Sequence, residues 1–180
     1  MAREARGVID IRKAEWRDLP GIATLVRMHY DSTGFPQELS FDASILEASL
    51  MSMLVNPTNA LLVATASGAG ALGSEDRSPA DGSRRGDSGE QVIGTIGMVL
   101  FNEFFTSELG ARELFMFVRP EYRGQHAGVG MIRMAEDWAS SNGASVIIIG
   151  NHPLSPPHVA TTYKRHGYRE AQTDFILRLN

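Results

Sequence analysis

The segment EYRGQHAGVG, residues 121–130, puts three glycines between a stretch that reads as a strand, Glu113–Val118, and a run patterned like a helix. In that run Met131, Met134, Ala135 and Trp138 recur on one face, with Arg133, Glu136 and Asp137 on the other, the period of an amphipathic helix. A strand, a glycine turn and a helix start together restrict the chain to α/β packing. They also make an anion site: the first N–H groups of a helix lack intrahelical partners, and the helix dipole adds positive potential there. Glycine lets backbone approach a pyrophosphate closely, but it serves ordinary turns equally well. No Gly-Lys-Ser/Thr follows the cluster, so it is not a Walker loop, and its spacing differs from the dinucleotide fingerprint.

The rest of the chain reads in the same terms. Val8–Arg12 alternates like a short strand. Asp18 is placed to cap a helix whose buried face is Leu19, Ile22, Leu25 and Val26, with Pro20 in its first turn. Ser40 or Asp42 starts a second helix with Leu46, Leu50, Met53 and Leu54 inward, ended by Asn56-Pro57. Ala60–Ala66 and Gln91–Phe101 read as paired strands, weakened or bulged at Gly94 and Gly97. Between them, residues 67–90 are rich in Gly, Ser and charge of both signs. Such a stretch buries too little surface to offset its ordering entropy, so it reads as a disordered hairpin insertion. Ser145–Ile149 is a buried-type strand, Val159–His166 a short helix stopped by Gly167, and Tyr168–Leu179 a last strand. The expected architecture is one α/β domain, residues 1–180, on a single mixed sheet.

Composition removes several classes of function. With no cysteine, a disulfide scaffold, a thiolate zinc site and a cysteine nucleophile are excluded. A net charge of −4 makes nucleic acid an unexpected partner. The N-terminal stretch lacks the apolar core of a signal peptide, and no apolar run approaches bilayer length. The expectation is therefore a cytoplasmic protein with no membrane partner. No Gly-x-Ser-x-Gly elbow is present, so a hydrolase of that design is unsupported.

Two motifs carry a resemblance. Gln125-x-x-Gly128-x-Gly130, after Val118-Arg119-Pro120, resembles the pyrophosphate-binding motif of the GCN5-related N-acetyltransferases, the GNAT family. Tyr163-x-x-x-Gly167-Tyr168 is similar to that family's C-terminal Tyr-x-x-x-Gly-Phe/Tyr. The resemblance implies a mixed, mostly antiparallel central sheet flanked by helices, and an acetyltransferase that uses acetyl-CoA without a metal. It implies that Met116, Phe117 and Val118 hold the pantetheine arm through strand backbone. It implies further that Arg123, Gly124, Gln125, His126, Ala127, Gly128, Val129 and Gly130 wrap the pyrophosphate, and that Tyr163 protonates the departing thiolate. The acceptor it implies is a primary amine, on a small molecule or a protein, and a homodimer is consistent with it. The sequence departs from the pattern in three places: His126 stands where glycine is common, Pro156 stands where many members carry an asparagine seven residues before the tyrosine, and no residue matches the glutamate that many members use as general base on a central strand, which leaves the base unassigned. A catalytically impaired CoA-binding module, or an interaction protein keeping the fold, would also fit these departures.

Glu113 is the candidate general base, or an anchor for a substrate ammonium, with a solvated or paired carboxylate as the plain alternative; alternation puts it on the same face as Phe115 and Phe117. His152 and His158, flanking a proline-rich loop, are alternative bases near neutral pH. Specificity is expected in residues 29–39 and around Phe101–Glu108, whose acidic residues lean toward a cationic amine, although Glu103 and Glu108 lie in the connection before the strand and read as solvent-facing. Phe101, Phe104 and Phe105 either wall an acceptor pocket or close the core edge.

Overall fold

The computed structural model describes residues 8–33, 35–67, 89–172, 177 and 179. Strand β1 (Val8–Lys13) leads into helices α1 (Leu19–Asp31) and α2 (Ala43–Val55). Strands β2 (Asn59–Ser67), β3 (Gln91–Asn102) and β4 (Leu109–Val118) follow, then α3 (Ala127–Ser141), β5 (Val146–Ile148) and α4 (His158–Arg165). The sheet order is β1-β2-β3-β4-β5. Every pairing is antiparallel except β4 with β5, which is parallel. This is the mixed, mostly antiparallel sheet that the resemblance implies.

The two faces of the sheet bury different helices. On one face α3 packs Met131, Ala135 and Trp138 against Leu62, Ile96 and Met98. On the other, α1 and α2 pack Ile22, Val26, Leu50 and Met53 against Leu61 and Val63. The inward residues expected for the three helices belong to these two clusters, except Leu25, which is fully buried outside both. Asp42 caps α2, accepting from the Ser44 and Ile45 N–H groups at 2.9 and 3.2 Å. Asp18 does not cap α1 with its side chain. Its carboxylate accepts instead from Arg12, at 2.7 and 3.0 Å, and from the Glu15 N–H at 2.7 Å. Paired so, Asp18 is buried and its pKa lies below the ordinary carboxylate value despite the opposing effect of burial.

One bulge falls on β3 beside Gly94, as expected, whereas the bulge at Gly97 has its extra residue on the opposite strand, β4. Register shifts between Ala64 and Thr65, opposite Gly94 and Val92, and again between Gly97 and Met98, opposite Phe115 and Glu113. At the second, Leu114 is the extra residue and is left exposed. That bulge corrects the face assigned to Glu113. Residues directly opposite one another share a face. Glu113 lies opposite Met98 of the α3-side core, whereas Phe115 lies opposite Gly97 and packs on the α2 side. Strict alternation across Leu114 therefore gives the wrong answer.

Strand β4 begins at Leu109, four residues earlier than expected, and β5 is shorter than expected at Val146–Ile148. Residues 168–172 are not strand, and most of the predicted strand beyond them lies outside the described residues. So does residue range 68–88, the bulk of the predicted insertion; Ala66 and Gln91, which flank it, pair directly.

Candidate active site

Strand β4 pairs with β5 only at Gly110, Ala111 and Arg112. Beyond Arg112 the strands part, and the β5-facing edge of Glu113–Val118 is left unpaired by its neighbour. The parting opens a cleft of about 610 Å3 lined by β4, the glycine loop, the C-terminal turn of α1, the β5–α4 connection and α4. An unpaired strand edge presents alternating N–H and C=O groups to an extended ligand. Met116, Phe117 and Val118 all line this cleft, as do Arg123, Gly124, His126, Gly128 and Val129.

The glycine loop is built by its own side chains. The Arg123 Nε donates to the Val118 C=O at 3.1 Å, and its guanidinium lies 5.4 Å from the Phe117 ring centre. The Gln125 amide donates to the Glu121 C=O at 3.1 Å. Gly124 has φ +75°, and His126 has φ 66°, the left-handed conformation that glycine adopts without cost. The structure thus accounts for the residue type common at that place in the motif: the backbone there calls for glycine, and this chain holds an imidazole in it. The first α3 hydrogen bond runs from the Gly130 N–H to the His126 C=O. The N–H groups of Ala127, Gly128 and Val129 therefore have no acceptor within the helix.

The glycines divide their work. A Cβ on Gly128 would lie 3.5 Å from the Met116 terminal methyl, an ordinary contact, so the site tolerates a methyl there. A Cβ on Gly130 would come within 2.2 Å of the Ile11 Cδ1. Gly130 is a packing residue that lets α3 lie close to β1, and it does not line the cleft. Ala127 is buried, and Gln125 serves the loop rather than the cleft wall.

Glu113 and Tyr163 both line the cleft at the parting of the strands. The Glu113 carboxylate accepts from the Gly150 N–H at 2.9 Å, bridging β4 to the chain just beyond β5. Burial pushes its pKa up to about 7, against the downward pull of that hydrogen bond. The Tyr163 phenol is raised above its ordinary value by burial and then by the Glu113 charge. Behind it the Tyr168 ring packs at 5.8 Å, and the Tyr168 hydroxyl donates to Glu136 of α3 at 2.9 Å. The second motif thus fastens α4 to α3, with Tyr163 on the cleft side.

On the α1 side, His29 lies against Phe117 and His152, with ring centres 6.1 and 5.5 Å apart. Burial, and then the neighbouring His152, pull its pKa down to about 4. The sequence placed His29 within a specificity segment without singling it out; its contact with His152 comes from long-range packing. His152 and His158 also line the cleft. Glu103, Glu108 and the Phe104–Phe105 pair do not. Phe104 and Phe105 are 90% and 89% exposed, so they neither wall the pocket nor close the core. Phe101 instead covers Gly110, where a Cβ would meet its ring at 2.6 Å.

A family profile described as an acetyltransferase (GNAT) domain matches residues 85–170. No curated protein sequence matches the chain. Solved structures share the fold. A transcriptional regulator from Bacillus halodurans C-125 aligns with TM-score 0.67 and 15% identity, over 96% of this chain and 100% of its own. The aminoglycoside N-acetyltransferase AAC(6')-Iy, solved with a CoA-linked bisubstrate analogue, gives 0.68 and 14%, over 96% and 99%. A ribosomal-protein-alanine N-acetyltransferase from Brucella melitensis biovar Abortus 2308 gives 0.61 and 16%, over 96% and 100%. The profile match is to a GNAT acetyltransferase domain and spans just under half of the chain, and the fold is the one that these solved acetyltransferase structures share. Among the described residues, no helix is long and apolar enough to cross a membrane.

Proposed function

We propose that the chain transfers an acetyl group from acetyl-CoA to a primary amine by direct attack, both substrates sharing the cleft. The observation that carries this reading is the parting of β4 from β5 after Arg112, which joins the glycine loop to Glu113 and Tyr163 in one cavity. The residues present fit the cosubstrate. The free N–H groups of Ala127–Val129 and the Arg123 guanidinium suit a pyrophosphate, and Gly128 leaves room beside them. The open edge at Met116–Val118 suits the amide-bearing arm.

Glu113 takes the proton of the attacking amine. A carboxylate near 7 is a stronger base than an ordinary one and is still about half ionised at neutral pH. Backbone N–H groups on the open β4 edge polarise the thioester carbonyl. Tyr163 then supports the departing sulfur as a hydrogen-bond donor. A thiolate, whose conjugate acid has a pKa of about 8.5, is too weak a base to strip a phenol held above its usual value. The hydroxyl therefore assists without giving its proton up outright.

The test is thiol release from acetyl-CoA over a panel of amines, for the wild type and Tyr163→Phe. The variant keeps the ring against Tyr168 and loses only the hydroxyl. Its kcat should fall by roughly 10- to 100-fold, with the acetyl-CoA Kd within about a factor of three, as for an interaction made mainly in the transition state. An unchanged kcat under chemistry-limited conditions would remove Tyr163 from the mechanism.

A further inference from the structure

The α1 side of the cleft has a chemistry of its own. His29, Phe117 and His152 meet ring against ring, and Phe35 backs His152 edge-on with ring centres 5.0 Å apart. His29 is a neutral imidazole at pH 7, because burial holds its pKa near 4. The wall is thus aromatic, its rings meeting tilted and edge-on, and at His29 it carries no positive charge. Exposed Leu154 extends it toward solvent.

The charges around it are few. Among the described residues lining the cleft, Glu113 is the one carboxylate, while Arg123 and Arg165 contribute positive charge. Asp31, nearby on α1, is engaged by Arg27 at 2.9 Å on the helix surface. An acceptor with several ammonium groups would have to desolvate each of them, and only one could meet a carboxylate. An unpaired cation in a partly buried cleft is strongly disfavoured. An apolar or aromatic body, in contrast, gains by covering the rings.

We propose that the acceptor is a monoamine carried on an uncharged, apolar or aromatic body, and that polycations such as polyamines and aminoglycosides are poor acceptors. Its place as an acceptor site rests on the acetyl-transfer reading above; the preference itself is a property of the cleft.

Two measurements separate these. Calorimetry on the CoA-loaded protein compares 2-phenylethylamine with spermidine, and thiol release from acetyl-CoA compares their kcat/KM. The expected result is at least a tenfold preference for 2-phenylethylamine in both. His152→Ala should weaken 2-phenylethylamine by about tenfold, through KM, with the CoA Kd within a factor of about three. Leu154→Asp, at an exposed position that leaves folding undisturbed, should shift the preference toward spermidine by supplying a second carboxylate. Preference in binding without thiol release from either amine would overturn the transfer reading and leave the cleft assignment standing. Equal or tighter binding of spermidine to the wild type, or a Leu154→Asp variant with unchanged preference, would overturn the proposal.

Discussion

Glu113→Gln tests whether the carboxylate of the cleft is held protonated by burial or is at ease as an anion. Gln keeps the size and shape of the side chain, and its amide oxygen still accepts from the Gly150 N–H that Glu113 now holds at 2.9 Å. What it removes is the charge. Burial raises the pKa from 4.5 to about 7, so the folded protein binds this proton more tightly than the unfolded chain does. The sign follows from linkage. Below about pH 4.5 the group is protonated in both states and costs nothing. As pH rises toward 7 the unfolded chain ionises freely while the folded protein resists, so wild-type stability falls relative to the variant and the gap levels off above about 7. At about 1.4 kcal/mol per pH unit, the gap between those two pKa values is worth on the order of 3 kcal/mol. For a domain of this size that corresponds to roughly 6–12 °C in Tm. His29 titrates in the opposite sense, its stabilising contribution disappearing as pH drops toward about 4, but it does so in both proteins and cancels. The assay is urea unfolding of both proteins at pH 5 and pH 8. A gap of about 1 kcal/mol or less at pH 5, widening to about 3 kcal/mol in favour of the variant at pH 8, is expected, together with loss of about 10²-fold or more in kcat/KM and of the activity limb near pH 7. A stability difference independent of pH, or a wild type more stable at pH 8, would show that the carboxylate is comfortable as an anion and would refute the argument from burial.

Two further substitutions test the division of labour in the glycine loop. Gly130→Ala should destabilise by about 1–3 kcal/mol through the contact with the Ile11 Cδ1, and Ile11→Val, which deletes that methyl, should rescue most of the loss in urea melts. Rescue failing would mean that the glycine is needed for something other than helix–strand approach. His126→Gly should stabilise by about 0.5–1 kcal/mol, because glycine adopts the left-handed φ of 66° without a Cβ penalty. A destabilised His126→Gly, read by thermal unfolding, would mean that the imidazole makes contacts worth more than the strain.

The sequence was informative wherever local periodicity decided the outcome. The inward faces of α1, α2 and α3, the Asp42 cap and the bulge beside Gly94 all follow from spacing and residue type within one turn or one strand. It was misleading where a distant partner intervened. Asp18 is claimed by Arg12, so the cap expected from position is replaced by an ion pair. Leu114 takes the bulge opposite Gly97, and that single extra residue moves Glu113 to the other face. The motif gathered Gly128 and Gly130 as equivalents, but only the packing of Ile11 distinguishes them. His29 gains its neutrality from burial beside His152, contacts between segments far apart in the chain that no local pattern encodes.

The central claim is that acetyl-CoA occupies the cleft with its pyrophosphate at the start of α3. Gly128 offers the most direct test, because a Cβ there meets nothing closer than 3.5 Å and the fold accepts a methyl. Calorimetric titration of acetyl-CoA into the wild type, Gly128→Ala and Gly128→Glu separates fold from site. The alanine variant should fold normally, and the glutamate variant should fold but set a carboxylate against the pyrophosphate, weakening binding by roughly several kcal/mol. Acetyl-CoA binding to folded Gly128→Glu as tight as to the wild type would contradict the account and place the cosubstrate elsewhere.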